Sequence, residues 1–219
     1  TVFHIIKLNR LINNIKIDII YDRSRLPAWI VFLALKFINR NKRPHFITTV
    51  HGFNSISFYS SIMTKGERVF VVSKSIQNFI TKNYKFNELN IILNYRGVDP
   101  KEYNLDSLLN KEWLKIWRKE FPYLNNKIIL SFPSRITSRK GHEDFIYLIS
   151  KLKQDNINIH GLIIGDPKSS SNKYFQSLKN QVNDSNLKAN ITFTGYRNDV
   201  KNIIAYSDIV YSLSREPES

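Results

Sequence analysis

The sequence predicts an α/β protein made of two domains with parallel sheets. Three observations carry this. Short apolar runs of strand length alternate with longer segments whose apolar residues recur at helical spacing. Strands that alternate with helices pair in parallel, because each right-handed crossover brings the chain back in the same direction. The rhythm loosens around 100–110, at Asp99-Pro100 and Asn104-Leu-Asp106, and then resumes, which divides the chain into 1–100 and 101–219.

In the first half, Ile17 to Ile20 reads as a short strand and Asp22-Arg-Ser-Arg25 as the loop after it. Pro27 opens the run Ala28 to Ile38, apolar on nearly every face apart from Lys36. That run is far short of the roughly 20 residues that span a bilayer, so it reads as a helix buried on a sheet, with a membrane-surface helix as the alternative. Phe46 to Val50 is the next strand, and His51-Gly52 sits where it ends. In a parallel sheet the carboxyl ends of the strands line the ligand crevice, although a lone histidine is more often structural. Val69 to Val72 is a strand, and Ser73 is placed to cap a helix carrying Ile76, Phe79 and Ile80. Ile91 to Leu93 is strand again, followed by Asn94-Tyr-Arg-Gly-Val-Asp-Pro100.

The second half opens on an amphipathic helix with Leu108, Leu109, Trp113, Ile116 and Trp117 as candidate buried positions. Strands over 128–132, 159–164, 191–194 and 208–212 then alternate with helices over 142–153, about 172–185, and one carrying Val200, Ile203 and Ile204 that Asn198 is placed to cap. Between the strand at 128 and the helix at 142 lies Ser131-Phe-Pro-Ser-Arg135-Ile-Thr-Ser-Arg-Lys140-Gly141. Two cations over the positive end of a helix make an anion site that fits a diphosphate. A solvated basic loop is the competing reading of the same residues.

Composition narrows the function. Hydrophobic content of 42% with 13% aromatics belongs to a folded chain. There are no cysteines, which excludes disulfides, thiolate metal sites and cysteine nucleophiles. The 33 Lys and Arg against 18 Asp and Glu, net +15, call for a nucleotide, a phospholipid surface or nucleic acid, or reflect a bias towards Lys, Asn and Ile. Residues 1–100 carry 15 basic and 5 acidic side chains, and residues 101–219 carry 18 and 13, so the first half is the better candidate for a membrane surface or an acidic acceptor.

Taken in order, Thr49-Val-His51-Gly52, Val72-Ser73-Lys-Ser-Ile76, Asn94-Tyr-Arg-Gly97-Val98-Asp99, Arg135-Ile-Thr-Ser-Arg-Lys140-Gly141, Ile164-Gly165-Asp166, Phe193-Thr-Gly195-Tyr-Arg197-Asn-Asp199, Ser207-Asp208 and Glu216-Pro-Glu218-Ser219 resemble glycosyltransferase family 4. The resemblance runs from about residue 17 to the end. It implies the GT-B fold: two Rossmann-like domains facing across a cleft, acceptor site on the first and nucleotide-sugar site on the second. Arg135 and Lys140 then clamp the donor diphosphate. His51 meets the donor sugar near the reaction centre. Glu218 begins a glutamate pair that holds ribose and sugar hydroxyls, with Ser214 and Glu216 just before it. Gly165 lets the main chain approach the nucleotide, and Gly195, Tyr196 and Arg197 form the loop that meets the base.

The family retains anomeric configuration. Its leaving phosphate is thought to take the acceptor's proton, so no carboxylate pair of the glycosidase kind is required. No Asp-x-Asp occurs, so no catalytic metal is expected. The implied enzyme moves a sugar from a UDP- or GDP-linked donor to a cell-envelope glycan or lipid acceptor, such as a lipopolysaccharide core. It is cytoplasmic, with peripheral contact at the anionic inner face of the cytoplasmic membrane. A GT-B epimerase or phosphorylase, and a nucleic-acid-binding α/β protein, are the alternatives; the latter lacks any recognised motif. Both domains read as incomplete. The family's amino-terminal strand and glycine-rich loop do not precede Thr1, and its second glutamate and closing helices do not follow Ser219.

Overall fold

In a computed structural model that describes residues 2–104, 108–167 and 173–215, the chain divides between Gly97 and Val98 into two units. Unit 1 holds a four-stranded sheet of β1 (Ile19–Asp22), β2 (His45–Val50), β3 (Arg68–Val71) and β4 (Ile91–Leu93), all parallel and in that spatial order. Its helices are α1 (Val2–Asn14), α2 (Arg25–Lys36) and α3 (Lys74–Asn83). The core joins Ala28, Val31 and Leu35 of α2 to Phe46, Val50, Val69 and Val71 of the sheet and Ile76 and Ile80 of α3.

Sequence reasoning left α1 unrecognised. Only Ile12 of it is fully buried, and Asn9 fixes it to α2 by donating to the Ala34 carbonyl at 3.2 Å. Helix α2 begins two residues before Pro27, which therefore sits in the first turn, where its missing N–H costs nothing. Strand β1 ends at Asp22 rather than Ile20, because its pairing with β2 runs through Asp22 opposite Thr48. Ser73 caps α3 as expected, its hydroxyl accepting from the Ile76 N–H at 3.2 Å.

Unit 2 holds a parallel sheet of β5 (Ile128–Pro133), β6 (Ile159–Ile164), β7 (Ile191–Gly195) and β8 (Ile209–Val210) in the order β7-β6-β5-β8. Its described helices are α4 (Lys111–Glu120), α5 (His142–Gln154), α6 (Lys173–Asp184) and α7 (Val200–Tyr206). Every residue of β6 is buried. The alternation shows why: Ile163 joins one core with Leu130, Phe132 and Phe145, while Leu162 and Ile164 join the opposite core with Ile129, Trp117 and Ile203. A strand covered on both faces reads as a continuous apolar run.

Three expectations are corrected here. Helix α4 starts at Lys111 with Asn110 as its cap, so Leu108 and Leu109 lie before it, and Ile116 is 59% exposed while Trp117 is buried. Asp199, not Asn198, precedes α7, and its carboxylate is used elsewhere. Strand β8 is two residues long rather than five.

Candidate functional site

With β5 as the first strand of unit 2, the order β7-β6-β5-β8 places strands three, two, one and four side by side. The connections diverge between β5 and β8, and ligands of open α/β sheets bind outside the carboxyl ends at such a switch point. Two segments emerge there: Ser134–Gly141 after β5, and Tyr211–Arg215 after β8.

The two segments are fastened together. Gly141 has φ +75, and a β-carbon there would lie 2.3 Å from the Leu213 carbonyl oxygen, so only glycine permits this contact. The Arg215 N–H donates to the Arg139 carbonyl at 2.9 Å. The Arg215 guanidinium forms two 2.9 Å hydrogen bonds to the two carboxylate oxygens of Asp144, and lies 3.5 Å from Glu143. Glu143 also accepts from the Tyr174 hydroxyl at 2.7 Å, and burial followed by that bond raises the phenol's pKa.

Arg135 and Lys140 both lie on the β5 segment; Arg135 is exposed and Lys140 half-buried. Gly141 caps α5 and offers no side chain, so the first N–H groups of the helix have no side-chain cap. A first turn holding Glu143 and Asp144 would repel an anion, but Arg215 offsets one of the two charges by its bidentate pair with Asp144, and Glu143 is engaged by Tyr174. Sequence reasoning missed Arg215, whose partner Asp144 lies 71 residues away.

Gly165 follows β6 with φ +147, and its would-be β-carbon lies 2.0 Å from the Ser134 carbonyl oxygen. The neighbour that demands a glycine there is thus the β5 segment itself. Gly195 ends β7 with φ +70 and open space around it, and Tyr196 after it is 75% exposed. Arg197 turns to protein partners. It donates to both Asp199 oxygens at 2.8 and 2.9 Å and to Glu120 at 2.6 Å, and stands over the rings of Trp117 and Phe121. Ser214 is half-buried on the β8 segment. Glu216 and Glu218 lie outside the described residues.

In unit 1, His51 directly follows β2, Arg23 directly follows β1, and Arg96 lies three residues past β4. Parallel strands put all three at one edge of the sheet. Arg23 Nε donates to His51 Nε2 at 2.9 Å, and Arg96 Nη2 lies 2.5 Å from His51 Nδ1. Partial burial, then the charges of Arg96 and Arg23, lower the His51 pKa, so the ring is neutral at pH 7. Asp22, at the end of β1, is buried with Oδ2 lacking a hydrogen-bond partner, and burial raises its pKa. A pocket of about 200 Å³ opens here, lined by Arg23, Arg25, Thr49, His51 and Asn54 among others. A wider apolar groove of about 520 Å³, between α1 and the end of α2, holds no such chemistry.

Comparison with known proteins bears on the family and the fold. The family model for glycosyl transferases group 1 matches residues 115–219, and that for glycosyltransferase family 4 matches residues 1–102. A glycosyltransferase from Rickettsia africae ESF-5 is 31% identical, with a TM-score of 0.83 over 98% of this chain and 56% of its own. Anabaena Alr3699/HepE, solved with UDP, is 17% identical, with a TM-score of 0.81 over 98% of this chain and 57% of its own. The sucrose-phosphate synthase of Thermosynechococcus elongatus is 15% identical, with a TM-score of 0.74 over 98% and 55%. The last two show a shared fold. This chain spans a little over half the length of each. None of the curated proteins matches.

Proposed function

Because the chain belongs to the glycosyltransferases of group 1 and family 4, we propose that it moves a sugar from a nucleotide-diphosphate donor to an acceptor with retention of anomeric configuration. The observation that carries the reading is the fastened switch point of unit 2. A loop bearing Arg135 and Lys140 runs into a helix start with no side-chain cap, and Arg215 offsets the Asp144 carboxylate of the first turn. Such a place suits a diphosphate.

In this reading Lys140 and Arg135 hold the diphosphate and stabilise the negative charge that grows on it as the sugar departs. Stabilisation counts towards rate only where it strengthens with that charge. The leaving phosphate takes the acceptor's proton, so no side chain is assigned as general base. His51, neutral, serves as a hydrogen-bonding group near the reacting sugar. The donor is UDP- or GDP-linked, as the UDP held by HepE makes reasonable. The acceptor is a cell-envelope glycan or lipid, reached at the inner face of the cytoplasmic membrane. No described helix is long and apolar enough to cross a membrane.

Calorimetric titration with UDP, GDP and ADP tests the donor half of the proposal. One diphosphate is expected to bind selectively, and Lys140→Ala to weaken it by about 1.5–3 kcal/mol, the scale of a charge-assisted hydrogen bond. Equal affinities of the two proteins for every diphosphate would remove the clamp.

A further inference from the structure

The pocket at the carboxyl edge of the unit 1 sheet is more cationic than a sugar hydroxyl needs. Arg23 and Arg96 flank His51 from opposite ring nitrogens. A neutral imidazole has one acceptor nitrogen and one N–H. It therefore satisfies one guanidinium and turns an N–H towards the other, so the second arginine gains nothing from the ring. Among the described residues Arg25, the first residue of α2, reaches the hydroxyls of Ser55 at 3.4 Å and Ser60 at 3.2 Å, and stands 5.4 Å from the Tyr59 ring centre.

Among the described residues, none of these three guanidiniums meets a carboxylate. Like charges gathered without counter-charge destabilise a fold unless something anionic joins them. The start of α2 adds to the demand, since Ser24 makes no side-chain cap bond and both Ser24 and Arg25 line the pocket. Guanidinium forks match the oxygens of a phosphate, two bonds at a time.

We propose that this pocket binds a phosphate group carried by the acceptor, with Arg23 and Arg25 of its lining as ligands, His51 beside them, and Arg96, on the other ring nitrogen of His51, adding its charge. The word acceptor rests on the glycosyl-transfer reading above; the phosphate site itself does not. Two sources share this chemistry, a phosphorylated sugar and a phospholipid headgroup.

The test uses the whole chain carrying Lys140→Ala, which weakens the anion loop of unit 2 so that it does not compete. Inorganic phosphate and glycerol 3-phosphate are titrated while the imidazole resonances of His51 are followed by NMR. The expected result is saturable binding that shifts His51, weakened about tenfold by Arg23→Gln or Arg96→Gln and less by Arg23→Lys, which keeps charge but loses the fork. Vesicles of phosphatidic acid in phosphatidylcholine separate the sources. Capture that the glutamine variants lose assigns the headgroup, and no capture beside binding of glycerol 3-phosphate assigns a soluble phosphate. Phosphate affinity unaltered in the folded arginine variants, or acetate binding as tightly as phosphate, would overturn the proposal. UDP titration of the chain without Lys140→Ala scores the donor reading separately, so either can fail alone.

Discussion

The arginines of the two units behave differently. In unit 2, Arg197 lies between Asp199 and Glu120, and Arg215 between Asp144 and Glu143. In unit 1, Arg23 and Arg96 share a neutral imidazole, and Arg25 has hydroxyls and a ring. The excess of charge follows the same line, net +10 over residues 1–100 and +5 over 101–219. The lesson is that a cation in a promising loop is informative only once its partners are known. One held by two carboxylates stabilises the fold; one facing another donor is free to meet an anion.

The histidines allow the sharpest test of that contrast. His160 in unit 2 is buried, and its pKa is lowered to about 4, first by burial and then by Lys127. Unfolded, it titrates near 6.5, so the unfolded chain takes up the proton first. Its contribution is therefore complete above about pH 6.5 and is lost as pH falls towards 4, by up to about 3 kcal/mol. Denaturant midpoints measured from pH 7 to 4 should show that His160→Gln is less acid-sensitive than the parent. Parallel curves would mean that His160 is solvated in the folded chain.

Next in size is Arg197→Ala, which strands the partly buried Asp199, leaves Glu120 to solvent, and should cost about 2 kcal/mol. Nucleotide affinity read on the same protein decides its role. Stability lost with affinity unchanged makes Arg197 structural, whereas affinity lost with stability unchanged places it at the base. The smallest effect is the most pointed. Arg96→Ala removes a guanidinium that meets no carboxylate among the described residues, so the unfolding midpoint should move by no more than about 0.5 kcal/mol. A loss as large as that for Arg197 would show that the unit 1 cluster holds the fold together.

Much of the architecture was legible because burial on two faces writes itself into sequence. Strand β6 falls where its apolar run falls, β4 matches its run although Ile92 is exposed, and Gly165 and Gly195 mark strand exits and Gly141 a helix start, all with positive φ. Helix α1 escaped because its apolar residues are diluted by four asparagines and arginines on a face only weakly buried. The clasp of Arg215 on Asp144 and the approach of Arg23 and Arg96 to His51 escaped for another reason. They join residues 28 to 71 apart, and no local pattern encodes a pairing that the sheet alone brings about. Arg197 stood in a recognisable motif, yet its partners Glu120 and Trp117 come from a helix about 80 residues earlier.

Strand β8 pairs with β5 through only two residues, Ile209 and Val210. Beyond it the chain is held by the Tyr211 N–H on Ser131, the Arg215 N–H on Arg139 and the ion pair with Asp144. That stretch also packs Tyr211 and Leu213 onto the unit 2 core, so the exposed Arg215–Asp144 pair is its salt-sensitive fastening. In the donor-binding reading, raising salt is therefore expected to loosen the clasp and shorten the stay of a bound nucleotide.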